Sequence, residues 1–414
     1  MTSNIKNETT KYDNMFGLRF TAYSIWTFII ICRPQDILPI LVKVRPALLT
    51  SIIAVVVYII CGNDKIHRVF FKQSQNKLYT MLVIVMILSI PFSLYSRLSF
   101  VSVFTQYIVV VLYFYLTFML IDTLKKANRI ILIGCIATGI YMFASVFMGS
   151  MNQNRLDFGS MFDPNDLAFF SLSFLTFNLI FISKENPLWI RIMCISFFII
   201  DILAILLSGS RGGALGLGAI TLMLILTKTK TIKFPIKVLF VVMCLFIVSF
   251  VRIDYTRYSA MINIKDDYNL NDETGRIAIW KIGIKAMFDN PITGVGVDCF
   301  PEVVGIDRAR RGLDQARWQT AHNLCVQIGT ETGVIGFCLF ILLSVNAFRG
   351  FGRAKKEYYP LELIKIGEMA KIGFLGLFIA GMFLSQAYSF YWAFYIVLSS
   401  IIKQFVDDFD NNEK

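Results

Sequence analysis

The chain is dominated by apolar runs of about 20 residues that recur from one end to the other. Wound into an α-helix, such a run spans about 30 Å, the thickness of the hydrocarbon core of a bilayer. Inside that core each backbone amide must find its partner within the same segment, so these runs favour helices. With 56% hydrophobic and only 16% charged residues, the chain is predicted to be an all-α polytopic membrane protein.

The runs predict twelve spans, near residues 18–32, 46–61, 78–96, 100–121, 130–149, 167–183, 190–207, 212–226, 238–251, 323–346, 372–386 and 390–402. The loops after the even-numbered spans are rich in lysine, and such short loops lie in the cytoplasm by the positive-inside rule. Both termini are therefore predicted to be cytoplasmic. One long loop, residues 252–321 between spans 9 and 10, is predicted to be periplasmic. The polar first 17 residues indicate no cleaved signal.

This layout divides the chain into three predicted regions. Residues 1–149 form an N-terminal bundle of spans 1–5, and residues 150–346 form a catalytic-type membrane region that includes the long loop. Residues 347–414 comprise a cytoplasmic loop, the last two spans and a C-terminal tail. Within the long loop, apolar residues at a spacing of 3–4 predict a helix over 274–288. Because the loop is too small for a deep core of its own, we expect it to fold over the bundle as a lid.

The basic residues are divided unevenly between the two predicted faces. Of the 40 in the chain, the inner side carries 18 Lys and 6 Arg, and the outer side carries 4 Lys and 12 Arg. Topology signalling does not need arginine outside, whereas the planar guanidinium binds phosphate through two parallel hydrogen bonds. Any single outer arginine can equally be a headgroup anchor. As a set, they predict an anionic ligand at the outer face, rather than nucleic acid, despite the net charge of +12.

The stretch "LLSGSRGGALGLG", residues 206–218, joins spans 7 and 8 with almost no loop. An arginine at the bilayer centre costs about 2.5–3.5 kcal/mol, so Arg211 is predicted to lie near the outer interface or in a wet cavity. Gly212 and Gly213 open span 8, and their free N–H groups would favour an anion beside the guanidinium. The alternative is a tight glycine turn with a snorkelling arginine.

Two further features need less explanation. In "GSMFDPNDLAFF", residues 159–170, Asp163 and Pro164 lead into span 6, so helix capping accounts for the turn, and a substrate contact by Asn165 is the second interpretation. The eight cysteines lie within apolar runs or at their edges, which indicates core residues rather than disulfides or a zinc site. No phosphate-binding loop of an ATPase occurs.

One of only two histidines, His322, stands at the start of the tenth span, in "AHNLCVQIGTETGVIG". At about 100° per residue, Gly329, Gly333 and Gly336 share its helix face, while Glu331 lies on the opposite face and about 13 Å deeper. The glycines are predicted to let another helix or a lipid-like chain approach. Glu331 must find a partner elsewhere, be protonated or line an aqueous path. A cap or an interface residue is the alternative for His322.

Together, "SRGG", "GRIAIW", "NPITGVGVDCF" and "AHNLCVQIGTETGVIG" resemble the O-antigen ligase and O-antigen polymerase superfamily of bacterial membrane glycosyltransferases. The most specific element is His, then Asn, Ser or Gln, nine residues, and Gly-x-x-Gly. Here it consists of His322, Asn323, residues 324–332 and the pair Gly333 and Gly336. The resemblance covers residues 150–345.

The resemblance implies transfer of a glycan from an undecaprenyl diphosphate carrier to an acceptor hydroxyl, at the periplasmic face of the bacterial inner membrane. It implies a role in O-antigen, exopolysaccharide or capsule assembly. Arg211 and Arg276 would bind the diphosphate, and His322 would be the general base, since an imidazole of ordinary pKa accepts a proton at neutral pH. Asn165 and Asn323 complete the predicted substrate site. Neither a cofactor nor a metal is expected, since no Asp-x-Asp occurs on the outer side.

The acceptor remains open, because a lipid core, a protein side chain and the end of a second lipid-linked glycan are all compatible with the sequence. Ligase, polymerase and protein O-oligosaccharyltransferase therefore stand side by side. A flippase of lipid-linked sugars is an alternative of another class, with Asp201 and Glu331 as the main intramembrane charges. A structural partner of a polysaccharide assembly complex is a third. The expected partners are the lipid-linked glycan donor, a glycan or lipid-core acceptor, membrane lipids and assembly proteins, with no nucleic acid.

Overall fold

The computed structural model describes residues 2–61, 70–159, 163–232, 237, 275–312 and 318–412, with side chains from residue 17 onward. The helices there are α1 (Thr2–Cys32), α2 (Pro34–Ile37), α3 (Pro46–Ile60), α4 (Ser74–Ser89), α5 (Ser96–Val101), α6 (Ile108–Leu120), α7 (Leu124–Met148), α8 (Pro164–Phe181), α9 (Leu188–Leu207), α10 (Arg211–Leu226), α11 (Arg276–Asp289), α12 (Phe300–Arg310), α13 (Leu324–Phe351), α14 (Leu361–Gly381) and α15 (Phe390–Asn412). The short strands β1 (Ser150–Asn152) and β2 (Arg155–Asp157) pair antiparallel.

Five helical stretches of the described chain are long and apolar enough to cross a membrane, namely Ser74–Phe92, Ser96–Leu120, Leu124–Met148, Leu188–Leu207 and Leu324–Phe351. Three shorter apolar helices accompany them: Gly17–Cys32, Pro46–Ile60 and Arg211–Leu226. The chain is thus a mostly helical membrane protein, as the sequence predicts. The predicted span 238–251 and residues 252–274 and 313–317 of the predicted loop 252–321 lie outside the described residues, so the number of twelve stays a prediction, as does the division into three regions.

The central element of the bundle is α8. Every side chain from Leu167 to Phe181 is buried, as expected of a helix that is apolar on all sides. Its few polar groups bond to three different neighbours. The Ser171 hydroxyl donates to the Asp201 carbonyl of α9 at 2.8 Å, and the Thr176 hydroxyl donates to α14 at 2.9 Å. The Tyr395 hydroxyl of α15 donates to the α8 backbone at 2.8 Å. These bonds fix the rotation of α8 within its apolar surroundings.

The predicted eleventh span, residues 372–386, is displaced in the structure. α14 begins at Leu361 and ends at Gly381, and the linker of residues 382–389 that follows is not helical. The helix extends further toward its N-terminus because its polar residues there are satisfied. Lys365, for example, is buried and forms an ion pair with Glu185 at 2.7 Å. The linker residues that were predicted to continue the span instead form part of the candidate site.

α13 is kinked, and the kink corrects the predicted glycine face. Gly333 has φ 72° and ψ −174°, so a single helical wheel does not hold across it. The backbone N–H groups of Val295 and Gly296 donate to the carbonyls of Thr330 and Glu331, each at 3.0 Å. A Cβ on Gly333 would lie 2.6 Å from the Pro291 carbonyl oxygen. The glycine therefore admits the turn that follows α11 rather than a lipid chain.

The wheel also fails at its other end, because His322 is not part of the helix. α13 begins at Leu324, and His322 has the left-handed φ of 45°. Gly329 does lie at a helix contact, since a Cβ there would meet the Met287 sulfur of α11 at 2.6 Å. The predicted close approach of a second helix is therefore confirmed at Gly329. The predicted helix over 274–288 is confirmed as α11, Arg276–Asp289.

Candidate functional site

One end of the bundle, which we call the site end, brings together the N-termini of α8, α10 and α13. The linker of residues 382–389 ties them to one another. Ser385 accepts a hydrogen bond at 2.8 Å from the backbone N–H of His322, and Gln386 donates one at 2.8 Å to Asp166 of α8. Phe383 packs against α10, where a Cβ on Gly212 would lie 3.0 Å from it. The linker thereby sets the relative positions of three helix ends.

His322 lies half-buried at the start of α13, in a conformation that few residues other than glycine adopt. Its ring Nε2 lies 3.4 Å from the Thr320 hydroxyl. Burial lowers the pKa of the imidazole, and the nearby positive charge of Arg276 lowers it further, against a smaller opposing effect of Asp163. The ring is therefore neutral at neutral pH and able to accept a proton. The strained backbone persists because its neighbours hold it in place.

α11 brings Arg276 to the same place. Trp280, one turn after Arg276 and hence on the same face, donates its indole N–H to the carbonyl of Ala321 at 2.9 Å. Further along, Gly283 lets α11 lie against α13, since a Cβ there would be 2.8 Å from the Thr330 hydroxyl. The indole contact is directly beside His322, so Arg276 acts on the imidazole from the adjacent helix. The lowered pKa of His322 reflects this proximity of Arg276.

Arg211 is the first residue of α10 and lies partly exposed at the site end. The two glycines after it differ from their predicted role. Ser210 caps the helix by accepting from the Gly213 N–H at 3.2 Å, so that group is already bonded. A Cβ on Gly213 would lie 2.5 Å from the Cβ of Ala168 in α8. The prediction of a free N–H group is therefore wrong for Gly213, and both glycines allow close helix packing. Arg211 remains a candidate ligand for an anion.

Arg155, which the sequence motifs did not single out, links the hairpin to two of the helix ends. Its Nε donates to the Ser208 carbonyl at 2.9 Å, and its guanidinium also donates to the Asn165 side-chain oxygen at 2.8 Å. Asp163 caps α8 by accepting from the Asn165 and Asp166 N–H groups at 2.7 and 2.8 Å, so the predicted cap is confirmed. Asn165 thus holds Arg155 in place, and its proposed substrate contact stays a prediction.

Asn323, not His322, caps α13. Its side-chain oxygen accepts from the N–H groups of Cys325 and Val326 at 2.9 and 3.0 Å, and the residue is 4% exposed. Asparagine is among the best N-cap residues, which gives the motif position a structural reason. The alternative in which the histidine caps the helix is therefore wrong. Asn323 was also predicted to contact substrate, and that role stays a prediction beside the observed one.

Glu331 finds a partner outside its own helix, which was one of the three predicted alternatives. Its carboxylate accepts from the Phe300 N–H at the start of α12 at 3.3 Å, and the Tyr388 hydroxyl of the linker lies beside it. The residue is buried at the kink of α13, between the turn after α11 and the linker. It therefore connects the start of α12, the turn after α11 and the linker.

The comparison with known families bears on this arrangement. Residues 196–341 match the family described as O-antigen ligase. The match covers about a third of the chain. No curated protein matches the chain. The resemblance to the O-antigen ligase and polymerase superfamily is thereby confirmed, with glycan transfer of that general type in a multi-pass bacterial membrane protein.

The O-antigen ligase match includes Arg211, Arg276 and His322 but ends before the linker, and it begins after Arg155. Arg155, Ser385 and Gln386 are the site-end residues that sequence reasoning missed. For Arg155 a signal existed, since it belongs to the arginines counted on the predicted outer face. Ser385 and Gln386 carry no local signal, because each acts through a partner at least 60 positions away in the chain.

Proposed function

We propose that this protein transfers a glycan from an undecaprenyl diphosphate carrier to the hydroxyl of an acceptor. The observation that carries the proposal is the neutral, half-buried imidazole of His322 beside the guanidinium of Arg276. A neutral imidazole accepts the acceptor's proton, and a fixed positive charge favours an anionic leaving group. Arg211, at the same end of the bundle, adds a second guanidinium for the diphosphate.

The reaction would proceed by displacement at the anomeric carbon. His322 takes the proton from the acceptor hydroxyl as that oxygen forms its bond to the anomeric carbon. The bond from that carbon to the diphosphate oxygen breaks, and the electron pair leaves with the diphosphate. Arg211 and Arg276 stabilise the charge that develops there. The donor's own phosphate ester bond supplies the driving force, so the step consumes no nucleotide.

The fold supports this role by fixing the backbone on both sides of the histidine. Trp280 donates to the Ala321 carbonyl, and Ser385 accepts from the His322 N–H. The next residue, Asn323, is fixed because its side chain caps α13. A catalytic group positioned by its surroundings loses little entropy when the substrate binds. For a histidine whose only task was packing, these three restraints would have no chemical purpose.

The proposal distinguishes a base from a structural histidine in a purified assay with lipid diphosphate donor and acceptor. His322→Ala should bind donor normally and turn over at least a hundredfold more slowly, within the range of about 10²–10⁴ for general base catalysis. His322→Asn is the sharper variant, since asparagine tolerates the left-handed conformation but accepts no proton at neutral pH. Near wild-type turnover in His322→Asn would refute the general base.

The diphosphate role of Arg211 is tested in the same assay. Arg211→Lys keeps the charge but loses the two-pronged geometry of the guanidinium, so we expect a substantial loss of turnover at normal expression. Wild-type turnover in that variant would reduce Arg211 to a point charge or an anchor. The acceptor class is read from the product: lengthened lipid-linked glycan indicates a polymerase, whereas labelled lipid core or protein indicates a ligase or a protein O-oligosaccharyltransferase.

We further propose that the site end faces the periplasm and that both termini are cytoplasmic. The support is charge: Lys125, Lys126, Lys184, Lys355 and Lys356 lie in or beside short loops that the positive-inside rule assigns to the cytoplasm. In a background without other cysteines, a membrane-impermeant thiol reagent applied to cells should label Arg310→Cys and miss Lys356→Cys. The reverse pattern would place the site in the cytoplasm.

The flippase alternative gains no support from the two buried carboxylates on which it depends. Asp201 accepts a hydrogen bond from the Asn178 side chain at 3.2 Å, and Glu331 accepts one from the backbone of Phe300. Each is therefore bonded to a neighbouring element of the fold. A flippase would need such groups to line a continuous polar path across the bilayer.

A further inference from the structure

A second basic site lies on the far side of α11 from His322. A cavity of about 900 Å³ opens between α11 and α12. Lys281 and Lys285 line it from α11, and Arg308, Arg310 and Arg311 line it from α12 and the turn after it. Arg276 is not part of its lining, and neither is Trp280 or Gly283, the α11 residues that face α13. The cavity is thus separate from the site described above.

Among the described residues, cationic side chains predominate in the lining of this cavity. Five cationic side chains line it, against the two carboxylates Asp289 and Asp307. One of the two, Asp307, already pairs with Arg311 at 2.8 Å. Arg308, moreover, is only 2% exposed, so a guanidinium group forms part of the buried wall. Guanidinium and ammonium groups gathered around one cavity favour a phosphate-bearing anion, which can accept hydrogen bonds from several of them at once.

The surface beside the cavity indicates where the anion comes from. Ile277, Ile284 and Phe288 form a stripe on one face of α11, at positions i, i+7 and i+11, and they are 37%, 42% and 65% exposed. Lys281 and Lys285 are exposed next to this stripe and also line the cavity. A helix with an apolar stripe flanked by lysines lies at the interface between lipid chains and headgroups. The cavity therefore opens at the level of lipid headgroups.

We propose that this cavity binds a phosphate-bearing anion at the membrane interface, the headgroup of an anionic lipid. Arg308 and Arg310 bind the phosphate oxygens from α12, and the two lysines of α11 close the site from the lipid side. The lipid chains lie along the apolar stripe. Occupancy would bridge α11 to α12 and so stabilise the helix that brings Arg276 to His322. This inference concerns binding alone and does not depend on the proposed glycan transfer.

The test measures lipid binding to the full-length protein by native mass spectrometry. The protein is placed in nanodiscs of phosphatidylcholine that contain phosphatidylglycerol, and retained lipid is counted after release. We expect the wild type to retain phosphatidylglycerol selectively. The double variant Lys281→Gln with Lys285→Gln should lose about 25-fold in affinity, since each basic residue near an anionic headgroup contributes a factor of about five.

A matched control removes two charges elsewhere. Lys125→Gln with Arg129→Gln deletes two exposed cations at the lysine-rich end of the bundle and leaves the cavity intact. Unchanged retention in this control, together with loss in the cavity variant, supports the site. Equal loss in both pairs would show attraction to bulk charge and would overturn it, as would wild-type retention in the cavity variant.

Inorganic pyrophosphate distinguishes a lipid from a soluble anion as the source. If added pyrophosphate displaces the retained lipid from the wild type, the site recognises phosphate and the lipid supplies it. If pyrophosphate binds the wild type but phosphatidylglycerol does not, the anion is soluble and the lipid assignment is overturned. Because both exposed lysines can be replaced without disturbing the core, a folding defect does not confound the comparison, and thermal unfolding of the variants in detergent verifies this.

Discussion

Removal of one hydroxyl group in the linker should disable the histidine without touching it. Ser385 accepts the backbone N–H of His322 at 2.8 Å, and that N–H belongs to a residue held at φ 45°. In Ser385→Ala the N–H loses its partner, which costs about 1–3 kcal/mol for a buried group. A left-handed conformation at a non-glycine residue itself costs about 1–3 kcal/mol. The free energy lost with the hydrogen bond is therefore comparable to the free energy of the backbone strain that the bond offsets.

We accordingly expect Ser385→Ala to let His322 relax out of its reactive position. The loss of about 1–3 kcal/mol corresponds to a decrease of roughly 5- to 150-fold in kcat, with little change in KM for the donor. Ser385→Thr keeps the hydroxyl and should recover most of the rate. Ser389→Ala is the matched control, because its hydroxyl lies in the same linker and has no hydrogen-bond partner among the described residues. A wild-type kcat in Ser385→Ala would refute the positioning role.

Two further predictions concern the same region. Because burial and Arg276 lower the pKa of His322, the acidic limb of the pH–rate profile should have its midpoint below the ordinary imidazole value of about 6.5. Arg276→Gln removes one of the two causes, so the acidic limb of its pH–rate profile should move to higher pH, and an unmoved limb would exclude the interaction. Gly333→Ala should destabilise the protein by about 2–4 kcal/mol in thermal unfolding through strain and overpacking, whereas Gly218→Ala, in open space, should not.

The sequence could predict those parts of the fold that depend on local pattern. Apolar runs located the helices, a spacing of 3–4 located α11, and an acidic residue before proline located the cap at Asp163. The roles of His322 and Arg276 stay predictions, although the motifs that carry the resemblance single out both residues. Their proximity could not be derived from spacing, since it depends on how Trp280 docks on the carbonyl of Ala321.

The remainder could not be predicted because it depends on contacts between distant positions. A helical wheel assumes a continuous helix, and it failed where Gly333 breaks α13 and where His322 precedes it. The linker of residues 382–389 was assigned partly to a span because its residues are largely apolar, although their backbone groups bond to other elements. Arg155 was one of many outer arginines until the structure showed its bonds to Ser208 and Asn165.

The fixed spacing of the histidine motif has a geometric reason in this structure. Asn323 caps α13, and Gly333 breaks the helix after the nine residues 324–332, which rise about 14 Å along the axis. α11 runs alongside this segment and contacts it at both ends. Near the N-terminus of α13, Trp280 donates to the Ala321 carbonyl, and at the kink the turn after α11 bonds to the backbone of α13. An inserted or deleted residue between cap and kink would rotate the contacts at the kink by about 100° relative to the Trp280 contact, so α11 could not satisfy both. The nine-residue spacing therefore fixes how α11 packs along α13. The packing of α11 in turn sets the position of Arg276 beside His322.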